Sequence, residues 1–350
     1  MARQHGPQRG TQPECNRLAT LLFRSLPGGH AGHVTAWTLL LLLGLCSFTS
    51  AQTSPEKRPF KLVANTPAFW DLVDRGAKME TMAAGFGFTE GPVWDKSGYL
   101  WVSDEVLNKI FRVYPDGHRE EMIALGDPDG STYDRDHRLI NTASVLRAII
   151  RLSKDGKSYT VLTDHYQGKR YNSPNDVVPG PDGALYFTDP TLDLPKGEKQ
   201  ETPFQGVYRL DKSGKMQLLT TELSQPNGLA FSPDGKHLYI DDSDKKNIRV
   251  YEFHADGTIS GGRLFGREDD GTDDGVPDGI RVDKNGNLFV VGPRGIWVWS
   301  PAGVHLGTIE VPEQPANLSW GGDDNSLLYI TATTSIYKIQ TKAHGFVPYD

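Results

Sequence analysis

Gln225-Pro-Asn-Gly-Leu-Ala-Phe-Ser-Pro-Asp-Gly-Lys-His-Leu-Tyr-Ile-Asp-Asp-Ser243 reads as two strands about a tight turn. Apolar residues gather at Leu229–Phe231 and again at Leu238–Ile240, on either side of Ser232-Pro-Asp-Gly235. Such a turn sets a hairpin, because Asp bonds the local backbone and Gly accepts positive φ. The phrase recurs along the chain. It begins at Glu90-Gly-Pro-Val-Trp94, Gly130-Ser-Thr-Tyr133, Asn175-Asp-Val-Val178, Asn227-Gly-Leu-Ala-Phe231, Asp278-Gly-Ile-Arg-Val282 and Asn317-Leu-Ser-Trp320. Related turns follow at Asp95-Lys-Ser-Gly98, Gly180-Pro-Asp-Gly183 and Asp283-Lys-Asn-Gly286, each leading into a second apolar strand and then a third. Hairpin units of roughly 40–50 residues that cannot bury both faces alone stack radially. Six phrases predict an all-β, six-bladed β-propeller with four-stranded blades around a central metal-binding channel. A long β-sandwich is the competing architecture, but it gives no reason for one phrase to occur six times.

The repeats place the propeller over residues 89–342, with a tail over 343–350. Residues 52–88 read as an N-terminal extension holding a short helix and an edge strand. Residues 1–51 differ in kind: Arg3, Arg9, Arg17 and Arg24 precede the apolar run Leu39–Cys46 and a small polar stretch ending at Ala51. That order predicts a secretory leader, with an uncleaved anchor as the alternative. The run is shorter than the roughly 20 residues of a membrane span. The expected location is therefore secreted or periplasmic, with no membrane association after leader cleavage.

Cys15 and Cys46 both lie in the leader, so a chain starting near Gln52 has no disulfide, thiol nucleophile or cysteine-based zinc site. Loss of the leader takes four arginines and one glutamate from a formal net charge of −7 and leaves −10. An acidic chain of this kind is not expected to bind nucleic acid. No coiled-coil pattern advertises an interface, and a monomer is expected.

First strands line a propeller's channel, so the residues that open the repeats converge there. Here they are Glu90, Asn175, Asn227, Asp278 and, with less support from the pattern, Asn317. This is a set of carboxylate and amide oxygens without thiol or imidazole, and hard oxygen donors suit calcium or magnesium. The expected metal residues are Glu90, Asn175, Asn227 and Asp278. One divalent cation is expected, Ca2+ first, with Mg2+, Mn2+ or Zn2+ as the other candidates. The acidic run Glu268–Gly275 aligns poorly with an EF-hand loop and reads as a solvated loop. Serine-elbow, zinc-protease and phosphate-loop motifs are absent.

At these repeat starts the chain resembles the senescence-marker-protein/regucalcin, gluconolactonase and luciferin-regenerating-enzyme family. The resemblance runs from about Phe69 to Lys338. Its carriers are Phe88-Thr-Glu-Gly-Pro-Val-Trp94, Asn172-Ser-Pro-Asn-Asp-Val-Val178, Gln225–Gly235, Leu238–Ser243 and Val276-Pro-Asp-Gly-Ile-Arg-Val-Asp283. It implies one divalent ion held by Glu90, Asn227 and Asp278, with Asn175 beside it as the substrate-binding residue and Asp278 as catalytic general base. The implied activity is metal-dependent lactone hydrolysis of the gluconolactonase kind on a small-molecule lactone. Blade two departs from the family pattern: it carries Ala143-Ser144 where a Glu-His pair is expected, and reads as opening with Ser131. The other readings are a non-catalytic secreted propeller with a structural calcium ion, and a phosphotriesterase or arylesterase on the same site. Pro190–Phe204, too long for a blade turn, is expected to form part of a rim over the channel.

Overall fold

In a computed structural model, which describes residues 57–272 and 274–349, the six phrases form six antiparallel sheets. The leader expected over residues 1–51 lies outside the described residues. Blade one comprises Thr89–Asp95, Tyr99–Asp104, Lys109–Val113 and Arg119–Ala124, in that order from first strand to fourth. The first strands of the later blades are Pro128–Tyr133, Val177–Pro179, Pro226–Phe231, Ile280–Val282 and Pro315–Gly321. Each first strand touches that of the next blade, and the sixth touches the first, so the ring is closed.

Closure is driven by what lies between the blades. Each of the six blade interfaces holds its own buried apolar cluster. Between blades five and six, for example, Phe289 and Val291 pack with Leu318 and Trp320. Fully burying one such side chain contributes about 1.5–3 kcal/mol, and each cluster adds several such increments against the entropy of ordering the chain.

The N-terminal segment is part of the propeller, not an extension outside it. Met79–Ala84 pairs antiparallel with Ser335–Gln340, Met79 opposite Ile339, and is the outer strand of blade six. Lys61–Ala64 adds a fifth strand to blade five along His305–Glu310. Between them the one-turn helix Phe69–Leu72 buries Phe69 against the cluster of blades five and six. No helix among the described residues is long and apolar enough to cross a membrane.

The C-terminal tail also has a place. His344 O accepts from Lys284 N at 2.8 Å, Gly345 N donates to Asn325 O at 2.7 Å, and Phe346 N donates to Val282 O at 2.9 Å. Tyr349 then packs edge-on against Tyr133 of blade two, with ring centroids 5.4 Å apart. The tail thus crosses from blades five and six to blade two. Phe346 and Tyr349 line one cavity with Val93, Thr132, Pro179, Phe231 and Trp320, which lie beyond the starting residues on their strands. The tail covers the channel end opposite those starting residues.

Candidate metal centre in the channel

Backbone hydrogen bonding defines which residues are equivalent around the channel. The carbonyls of Asp129, Asn175 and Asn227 accept from Ser103 Oγ, Thr142 Oγ1 and Thr188 Oγ1 of the preceding blade at 2.7, 2.6 and 2.7 Å. Asn175 O and Ala316 O accept in addition from Gly130 N at 2.9 Å and Gly279 N at 3.0 Å. The equivalent ring is therefore Glu90, Asp129, Asn175, Asn227, Asp278 and Ala316. In blades one, two, four and six the strand register shifts at this step. A bulge there re-aims one side chain out of the sheet, as bulges at barrel rims and active sites do.

Glycine follows the ring residue in four blades for a steric reason. A Cβ at Gly228 would collide with the Asp278 carbonyl oxygen, and one at Gly91, whose φ is +50°, with that of Asp129. The loops entering the ring are held by buried carboxylates at the ends of second strands. Asp104 accepts from Gly87 N and Phe88 N at 2.8 and 3.2 Å, and Asp242 from Ser224 N and Gln225 N at 2.7 and 3.1 Å.

Three of the four sequence-predicted residues are held by a neighbour. Both hydrogen bonds to Glu90 fall on Oε2, from Gly91 N at 2.5 Å and Asn317 Nδ2 at 2.8 Å, which leaves Oε1 to the channel. Asn175 donates Nδ2 to Asp129 Oδ2 at 2.8 Å. Asn227 donates Nδ2 to Ser243 Oγ at 3.1 Å, and that hydroxyl is itself fixed on Pro277 O at 2.7 Å. Asn227 Oδ1 is buried and has no protein partner. Asp278 is the least buried of the four.

Acidic groups crowd this end of the channel. Burial raises the carboxyl of Asp278 well above the ordinary range, reinforced by the charges of Glu90, Asp241, Asp176 and Asp193. Glu90 is raised by burial and by Asp176, against the opposing pull of Gly91 N, Asn317 and Arg281. Burial likewise raises Asp129 and Glu105, with Asp193 adding to both, and lifts Asp127 to about 6. Asp193 comes from the segment between the second and third strands of blade three. That segment is fastened by the fully buried Arg147, which donates Nε to Tyr171 O at 2.5 Å and Nη1 to Glu198 Oε2 at 3.1 Å.

Two readings of the sequence are corrected by this geometry. Blade two contributes Asp129-Gly130 at the ring, not Ser131; the acid-glycine pair is visible in the sequence once the window is moved two residues back. Blade six contributes Ala316, and Asn317, one residue on, holds Glu90 instead. Asp129 and Ser243 escape sequence reasoning because each is defined by a hydrogen bond, to Asn175 of the next blade and to Asn227 of its own, that the repeat spacing does not encode. In the acidic run Glu268–Gly275, Glu268 is fully buried and accepts from Trp299 Nε1 at 2.8 Å.

The residues present fit a hard divalent cation. They offer only oxygen, one buried amide oxygen lacks a partner, and neighbouring carboxylates repel one another. Among the described residues no three His, Cys, Asp or Glu side chains are grouped so as to hold a metal by themselves. The predicted set, two carboxylates and two amides, depends on asparagine oxygens as much as on acids.

Comparison with known proteins agrees with this architecture. Residues 88–334 match the model of the SMP-30/Gluconolactonase/LRE-like region. A gluconolactonase from Zymomonas mobilis is 34% identical over 311 residues, covering 81% of this chain and 87% of its own. The structure of a Xanthomonas campestris gluconolactonase superposes with a TM-score of 0.75 at 29% identity, covering 82% of this chain and 96% of that one. A calcium-binding regucalcin from Agrobacterium tumefaciens shares the fold at 20% identity, with a TM-score of 0.65 and coverage of 76% and 95%. With its repeats, its closed ring of blades and a match over most of its length, the chain belongs to the SMP-30/gluconolactonase/LRE-like family.

Proposed function

We propose that this chain is a metal-dependent lactonase, a carboxylic ester hydrolase that opens a sugar lactone or related small lactone. The observation that carries the metal part is the buried, unpartnered Oδ1 of Asn227 in a ring whose other polar members, Glu90, Asp129, Asn175 and Asp278, carry carboxylate or amide oxygens. The lactone part is supported by the similarity to gluconolactonases over four-fifths of the chain, and the choice of calcium by the calcium-binding regucalcin of the same fold.

Glu90, Asn175, Asn227 and Asp278 would hold the cation. Bound there, it would supply Lewis-acid stabilisation of the negative charge that develops on the lactone carbonyl oxygen. Asp278, partly exposed, takes a proton from the attacking water as that oxygen bonds to the carbonyl carbon. The ring C–O bond then breaks, and the leaving alkoxide recovers the proton to give the hydroxy acid. Asn175 orients the carbonyl. The segment bearing Asp193 forms part of the rim and limits access of bulk water.

Asp278→Asn tests this directly. Turnover of a lactone is expected to fall by roughly 10²–10⁴-fold, the usual contribution of a general base, with the circular dichroism spectrum unchanged. Full activity in that variant would remove the role. The reading of residues 1–51 as an export leader belongs to the same proposal, with N-terminal sequencing of the mature protein as its check.

A further inference from the structure

An asparagine amide has two orientations about its last bond, one presenting oxygen to a given side and the other NH2. Only the first serves a cation. A carboxylate accepts and never donates when ionised, so an amide beside one turns its NH2 toward it and its oxygen away. Asp129 stands in that relation to Asn175: Asn175 Nδ2 donates to Asp129 Oδ2 at 2.8 Å, and both residues are buried. The same logic operates one blade on, where Ser243 Oγ receives Asn227 Nδ2 and Asn227 Oδ1 is left without a partner. Asp129 occupies the ring position of blade two, and its Oδ2 accepts from its neighbour in blade three.

We propose that Asp129 is a positioning residue: it fixes the amide of Asn175 so that Oδ1 faces the cation and substrate, and it acts through Asn175, not as a ligand or base of its own. This inference rests on the metal reading above. It assigns Asp129 a role that differs from the one read for Asn175, although the two stand at equivalent positions of one ring.

The test is a double-mutant cycle read by calcium titration calorimetry on metal-stripped protein. Asp129→Ala and Asn175→Ala are each expected to weaken calcium binding by roughly 10–100-fold, the usual effect of removing a group that orients a ligand. The double variant is expected to bind no more weakly than Asn175→Ala alone, because the second change removes what the first acts on. Asp129→Asn, which keeps an acceptor oxygen for Asn175 Nδ2, is expected to stay within about threefold of wild type, and it serves as the decisive variant if Asp129→Ala does not fold. Additive losses in the double variant, or a tenfold or greater loss in Asp129→Asn, would overturn the proposal and make Asp129 a ligand in its own right. A wild-type chain that binds no divalent cation would overturn the metal reading and this one with it. Calcium binding without turnover on any lactone would count against the proposed activity alone.

Discussion

Glu90 and Asp278 carry carboxyls that burial and the charges of neighbouring carboxylates raise above their ordinary range. The folded, metal-stripped protein therefore binds more protons than the unfolded chain between the ordinary carboxylate pKa near 4 and the raised value of Glu90, about 8. Over that window these groups contribute stability at low pH and lose it as pH rises. Metal-stripped protein should accordingly melt lower at pH 8 than at pH 5. Added calcium displaces those protons, so its stabilising shift should be larger at pH 8, which differential scanning calorimetry would measure. Asn317→Leu removes a donor from Glu90 Oε2, and a loss of roughly tenfold in calcium affinity is expected by calorimetry. Glu90, Asn175, Asn227 and Asp278 were legible because each stands at a repeat start followed by Gly or Asp. Asp129 and Ser243 were not, since what defines them is a hydrogen bond across or within a blade that spacing does not encode.

At the scale of elements, position is enforced by contacts that one side chain makes with a neighbouring strand or loop. Arg147 is the plainest case, a fully buried guanidinium holding Tyr171 O and Glu198 beneath the segment that bears Asp193. Arg147→Met keeps much of the bulk and loses these charged hydrogen bonds, each worth about 1.5–3 kcal/mol. Amides of residues 191–205 should then exchange hydrogen faster while those of the inner strands keep their protection. The insertion was visible in the sequence by its length. Its anchor was not, because nothing in Leu146-Arg-Ala148 distinguishes a buried arginine from a surface one.

The propeller is held shut by the pairing of Met79–Ala84 with Ser335–Gln340. The repeated phrase announced six blades, but the fourth strand of the last blade carries no phrase: Met79–Ala84 is joined to its partner strand only by pairing across some 250 residues of chain. A chain beginning at Gly85 would leave Ser335–Gln340 as a bare edge and strip Met82 and Ala83 from the cluster between blades six and one. Such a chain should fail to give a monomeric, cooperatively melting species on size exclusion and calorimetry. Any interface is equally exposed to damage. Phe289→Ala, between blades five and six, should cost about 3–5 kcal/mol by denaturant titration, a large share of a domain's usual 5–15 kcal/mol. Closure matters to function because it alone brings the ring residues of five blades to one end of the channel. The claim that this ring works as a metal-dependent lactonase is met most directly by following acid release from a panel of lactones, D-glucono-δ-lactone included, with metal-stripped protein before and after adding calcium. Hydrolysis that is lost on stripping, restored by calcium and absent in Asp278→Asn is the predicted result; tight calcium binding with no hydrolysis of any lactone would contradict it.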